Sequence, residues 1–208
     1  VVAVLSSFGQ FQAPLRPAPA KEGDPVQAEI NQFTPKFRLT LLTGMVVLAV
    51  LARLIPHPPN FSPIGALALF GGATFADRRI GLLLPLISLF LSDLFLGLHI
   101  LIPVVYGSFA INVLLGRWLR SNRTLLSVAS VIVIGAVQFF VVTNFACWVL
   151  WYPNTWEGFV ACYVAAIPFF QNTLLGDAVF VTVLFGGLAL IERVWPALRE
   201  PHLQPAAV

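Results

Sequence analysis

Leu54-Ile55-Pro56-His57-Pro58-Pro59-Asn60-Phe61-Ser62-Pro63-Ile64-Gly65 runs directly into the apolar stretch Ala66 to Phe75. Pro56, Pro58, Pro59 and Pro63 fix φ and remove backbone donors, so one helix must end near Ile55 and another can begin at Pro63. The segment reads as a rigid polar connector between two apolar helices. Such stiffness suits a wall, a lid or a docking surface.

Working outward, the chain of 208 residues is 58% hydrophobic and only 10% charged. That balance excludes an ordinary soluble domain and indicates an integral membrane protein. The net charge of +3 does not point to nucleic acid, because the basic residues sort by membrane side. Two cysteines, Cys147 and Cys162, make neither a disulfide framework nor a zinc site; both fall on the far side of the membrane, where one disulfide is an alternative to the expected free, buried thiols.

Apolar segments read as helices over Arg38 to Ile55, Pro63 to Phe75, Ile80 to Leu98, Ile100 to Leu119, Leu125 to Trp151 and Gln171 to Arg193. Most reach the ~20 residues that cross a ~30 Å hydrocarbon layer. The third and fourth nearly touch, which requires a tight turn at Gly97-Leu98-His99. Gly158 to Phe170 is apolar but carries Pro168, and reads as an interfacial or re-entrant piece. The expectation is an all-α integral membrane protein, a six-transmembrane-helix bundle.

Six spans place Arg16, Lys21, Lys36, Arg38, Arg78, Arg79, Arg117, Arg120, Arg123, Arg193 and Arg199 on one side and leave Arg53 on the other. Lys and Arg concentrate in short loops on the non-translocated side, so both termini are expected on the cytoplasmic or stromal side. Trp148, Trp151, Tyr152, Trp156 and Tyr163 then gather at the far interface, with Trp118 and Trp195 at the near one. Small residues offer packing seams: Ser108, Asn112 and Gly116; Ala178, Thr182 and Gly186; Ala68 and Gly72.

Three divisions follow: an extended arm over 1–37, a membrane domain over 38–195 and a short tail over 196–208. The arm combines the Pro/Ala run Ala13 to Ala20 with Lys21-Glu22-Gly23-Asp24-Pro25, a composition that does not fold alone. It is expected to be held by partner membrane subunits. A start at Val1 leads to the expectation of a processed precursor.

Ionisable residues inside a span cost about 2.5–3.5 kcal/mol each on insertion scales and need a reason. At 1.5 Å per residue, Arg53, Asp93, Gln138 and Asp177 all fall roughly 21–24 Å from the basic side, beneath the proline connector. One reading is a structural network in which Arg53 is shared between Asp93 and Asp177. The other is a pocket for a small polar ligand, roofed by His57 to Asn60 and bordered by His99, Asn144, Gln171 and Asn172.

Intramembrane aspartyl proteases carry Tyr-Asp and Gly-x-Gly-Asp; here Ser92-Asp93 and Leu174-Leu175-Gly176-Asp177 keep only the Gly-Asp. No catalytic residue, metal ligand or cofactor motif is assigned, and no enzyme activity is expected. Asn60-Phe61-Ser62 and Asn122-Arg123-Thr124 match glycosylation sequons but lie close to the membrane.

The run Arg53 to Gly72, followed by Leu91-Ser92-Asp93, resembles an uncharacterised family of bacterial six-helix membrane proteins, itself similar to the substrate-binding S components of energy-coupling-factor vitamin transporters. The resemblance covers roughly Arg38 to Arg193. It implies a compact S-component-like bundle whose ligand cavity opens to the outer side. S components dock on their partner through Ala-x-x-x-Ala on the first helix, whereas Ala49 and Ala52 are three apart and Arg53 follows.

That departure, with the arm, leads to the expectation of a non-catalytic membrane subunit of a larger assembly. The setting would be a bacterial inner membrane or an organellar one, thylakoid or mitochondrial inner. In a photosynthetic complex it would carry bound lipid or pigment. The alternative is a working S component for a vitamin-sized solute.

Overall fold

The structure is a computed structural model that describes the backbone of residues 25–198 and the side chains of residues 36–198 other than Ala197. Six α-helices and no strand occur among the described residues: α1 (Pro25–Leu54), α2 (Ile64–Thr74), α3 (Arg78–Leu96), α4 (Ile102–Leu119), α5 (Leu125–Trp151) and α6 (Trp156–Val194). A single 3-10 turn, Pro196–Leu198, follows. All but α2 are long and apolar enough to cross a membrane, as expected of an integral membrane protein.

The proline connector ends α1 at Leu54 and starts α2 at Ile64, within one residue of the expected boundaries at both sides. Asn60 takes the left-handed conformation at φ 65°, which a short amide side chain tolerates better than most. Phe61 N–H closes a turn on the Pro58 carbonyl at 3.0 Å, and Asn172 Nδ2 of α6 donates to the Pro59 carbonyl at 2.9 Å. The connector is thus strapped to the far end of the bundle.

The six-span expectation changes at α2. At eleven residues it is about 16 Å long, too short to span a bilayer by itself. Every residue from Ile64 to Thr74 is buried. A helix apolar all round is a core helix, and the others wrap it: α1, α3, α4 and α6 all pack on it.

Its tightest neighbour is α4. A Cβ on Gly72 would collide with the Val113 carbonyl, and one on Gly116 with the Leu69 carbonyl. Because lipid gives no hydrophobic drive for helix association, such backbone contact, which maximises dispersion, holds the pair together. The Ala68/Gly72 and Ser108/Asn112/Gly116 seams are internal, as expected. The proposed seam on the last helix is not: Ala178 is exposed, and the buried stripe runs through Gly176, Asp177, Val181, Leu184, Phe185 and Leu188.

The carboxyl end of α2 leaves carbonyls without partners inside the helix. Arg117 donates to the Phe75 and Ala76 carbonyls at 2.8 and 3.0 Å, and Arg123 donates to the Ala73 carbonyl at 2.9 Å. Two arginines read only as topology markers therefore also cap the central helix, where cations meet the negative end of its dipole.

The turn between α3 and α4 is as tight as required. Gly97, at φ 106°, reverses the chain while its N–H still bonds the Asp93 carbonyl at 2.8 Å.

Two boundaries differ from the sequence reading. The first helix begins at Pro25, so the arm is helical rather than extended over its last residues; Val1 to Asp24 lie outside the described residues, as do residues 199–208 of the tail. The segment Gly158 to Phe170 is not re-entrant: it is the first half of α6, which continues through Pro168. Proline forfeits one helical hydrogen bond, yet apolar residues on both sides keep the helix running. At 39 residues, α6 is about 58 Å long, nearly twice a ~30 Å hydrocarbon core, so it cannot stand upright within it. At the other end, Arg38 pairs with Glu192 at 2.6 Å and donates to the Leu198 carbonyl, tying α1, α6 and the final turn together.

Candidate functional site

The polar residues of the spans do not form one network. They divide into three sets. In the first, Arg53 of α1 pairs with Asp93 of α3 at 2.7 Å, and the guanidinium also donates to Ser92 Oγ and to the Leu89 carbonyl. Tyr106 of α4 completes the set by donating to the other Asp93 oxygen at 2.8 Å. Asp93 is 2% exposed, so this is a buried, hydrogen-bonded ion pair that joins three helices.

In the second, Asp177 of α6 lies at the start of α2. Its carboxylate accepts the Ala66 backbone N–H and packs where a Cβ on Gly65 would be. Helix starts leave free N–H groups and carry partial positive charge, so an anion is favoured there. The expectation that Arg53 is shared between two carboxylates is corrected: Arg53 serves Asp93, and the two ion pairs among the described residues, Arg53–Asp93 and Arg38–Glu192, leave Asp177 out.

In the third, Gln138 Nε2 of α5 donates to the Ser108 carbonyl and to Asn112 Oδ1 of α4, both at 3.0 Å. Ser108 Oγ and Gln138 Oε1 are buried and have no protein partner. Orphaned buried polar atoms of this kind ask for a water or a ligand.

Between the second and third sets lies a cavity of about 330 Å³. Arg53, Asn60, Ser62, Gly65, His99, Asn112, Thr143, Asn144, Cys147, Thr173 and Asp177 contribute to its wall, with Phe109, Phe139, Phe140, Phe169 and Phe170 as its apolar surface. Asn60 of the connector and His99 of the α3–α4 turn are exposed and mark its mouth. Phe109 packs on Phe139 at 5.0 Å between ring centroids, and Phe140 on Phe170 at 5.1 Å.

Of the residues expected at a pocket, Arg53, Asn60, His99, Asn144 and Asp177 line it. Asp93 and Gln138 stand behind the wall, bonded to Arg53 and Asn112. The other three do not line it. His57 faces the Arg53 and Pro58 carbonyls, Asn172 holds the connector, and Gln171 is exposed.

Thr143, Thr173 and the five phenylalanines are not marked in the sequence reading, which placed Asn112 in a packing seam only. Their signal was spacing: Phe169, Thr173 and Asp177 recur every four residues, and Phe139 and Thr143 likewise, each set on one helix face. Cys147 and Cys162 are both free, Cys162 buried with its Sγ 3.5 Å from the Asn144 carbonyl. No group of His, Cys, Asp and Glu among the described residues could hold a metal ion.

Fold and site together define an all-helical membrane bundle with a short central helix and a polar-and-aromatic cavity at that helix's amino end. The chain belongs to the family described as "Family of unknown function (DUF6580)", which matches residues 33–198. No curated protein and no solved structure matches it.

Proposed function

We propose that the protein binds a small organic solute within the membrane, in the cavity bounded by α2, α4, α5 and α6. One observation carries this reading: a cavity of about 330 Å³ holding a buried carboxylate that no cation of the described residues neutralises. The volume falls within the ~300–1,000 Å³ of small-molecule sites, and an apolar wall with a few placed polar groups is their usual makeup. A structural network alone would have closed on itself, as the Arg53–Asp93–Tyr106 set does. The mouth at Asn60 and His99 gives the solute a path from the side of the connector.

Gentle detergent extraction of the full chain, followed by native mass measurement, tests the reading. A stoichiometric small-molecule increment is expected, lost in Thr173→Trp, whose indole would occupy the cavity. A bare mass in both proteins, with no ligand-induced change in melting, would reject it. The same preparation bears on the other expectation, a non-catalytic subunit of a larger assembly held by the arm. A stable complex of fixed stoichiometry with no small molecule present favours that reading over solute binding.

A further inference from the structure

We infer that the solute is an organic cation with a planar apolar body and several hydrogen-bond donors, an amidinium-like or aminoheterocyclic cation being the simplest form. This inference rests on the solute-binding reading above and adds to it the sign of the charge.

The first argument is the charge of the wall. Arg53 and Asp93 form a neutral pair, and Tyr106 satisfies the remaining Asp93 oxygen. Asp177 is 3% exposed and lines the cavity without a cationic partner among the described residues. The amino end of α2 offsets it only in part, since a helix terminus carries about half a charge. One backbone N–H, from Ala66, occupies one of several acceptor positions on the carboxylate. The wall thus holds one acidic group that no cation among the described residues offsets. Of the other ionisable groups on the wall, Arg53 is paired with Asp93, Cys147 is a thiol, and His99 is exposed at the mouth.

The second argument is independent of charge. Thr143 donates its hydroxyl proton to the Phe139 carbonyl at 2.7 Å, and Thr173 donates to the Phe169 carbonyl at 3.0 Å. Asn144 spends one amide N–H on the Phe140 carbonyl at 2.7 Å. With those protons turned back into the helix, each side chain keeps an oxygen as acceptor. Nη1 of Arg53 is directed at Leu89 and Ser92, and Nη2 at Asp93. The Thr143, Thr173 and Asn144 oxygens and the Asp177 carboxylate give a ligand that brings donors several acceptors to meet, beside the amide N–H groups of Asn60 and Asn112.

The third argument is the apolar surface. The ring pairs Phe109/Phe139 and Phe140/Phe170 present faces and edges of a size to enclose a flat group. Aromatic faces carry negative quadrupole charge and attract cations, more strongly where water is excluded.

The test uses the full chain in detergent and three shape-matched probes with their two-ring homologues: benzamidine, benzamide and benzoate, and the naphthalene equivalents. Binding is read by calorimetry and by the shift in melting temperature. The amidines are expected to bind at least ~10-fold more tightly than the amides, since a charge-assisted hydrogen bond gains that much over a neutral one. The carboxylates should bind least. Asp177→Asn should erase the preference of amidine over amide, and Thr173→Val should weaken amidine binding several-fold. If Asp177→Asn does not fold, the order of the three charges on the parent protein decides alone.

Amide or carboxylate binding equal to or tighter than amidine would overturn the cationic assignment and leave a solute site in place. No binding by any probe up to millimolar concentration would overturn the cationic assignment and the solute-binding reading together.

Discussion

The carboxylate of Asp177 occupies the space that a side chain on Gly65 would need, so a residue of α6 fixes both the position and the chemistry of the amino end of α2. Gly65→Ala should therefore push Asp177 off the helix start. An expected loss of about 1–3 kcal/mol follows from overpacking a closed site, visible as a lowered melting temperature in detergent. Gly44→Ala is the control: nothing lies within 4 Å of a Cβ there, and the exchange in a helix interior should be neutral or raise stability by about 0.5–1 kcal/mol. Equal effects at the two glycines would remove Asp177 from its assigned place.

The ion pair of α1 and α3 makes a sharper case. Arg53→Met leaves Asp93 buried with only Tyr106 as partner, and an uncompensated buried charge costs about 3–5 kcal/mol. Asp93→Asn in the same chain should recover much of the loss, because the neutral amide needs no counter-charge. A double-mutant cycle of melting free energies measures the coupling. Additive losses would mean that the two residues do not share an interaction.

The seam between α2 and α4 is expected to tolerate no side chain. Gly72→Val and Gly116→Val would each place a branched side chain against carbonyls of the facing helix, where no rotamer provides escape. Loss of folded protein is the expected outcome on size-exclusion chromatography. Gly107→Val on the same helix, with open space around its Cβ, should fold. Arg117→Met, which strips two carbonyls at the other end of α2, should cost about 1–3 kcal/mol without abolishing the fold.

Much of this architecture is legible in the sequence. The prolines between Ile55 and Ile64 set two helix ends to within a residue, since a fixed φ and a missing N–H act locally. Ala68, Gly72 and Gly116 marked a seam because close backbone approach favours such small residues within an apolar run. What was not legible depended on tertiary contact.

Pro168 broke the apolar run over Gly158 to Arg193 in the sequence, but the helix passes through it. That break hid the four-residue spacing of Phe169, Thr173 and Asp177, and with it one whole wall of the cavity. The charges posed a similar limit. Depth counting put Arg53 with both aspartates, but depth says nothing of azimuth, and it is the rotation of α6 that gives Asp177 to α2 instead.

The position of Cys147 on the cavity wall offers a last test, in which the thiol serves as reporter. Cys147 is half-buried, while Cys162 is buried against the Asn144 carbonyl. With Cys162→Ser, Cys147 is the single thiol of the chain, and a small maleimide should reach it through the mouth between Asn60 and His99. Labelling should be slower than for an exposed thiol and should slow further when the cavity is filled by Thr173→Trp. The rate is followed by intact mass over time. A rate indifferent to Thr173→Trp would mean that the reagent reaches Cys147 from the lipid face, and the cavity would then not be the open route that a solute site requires.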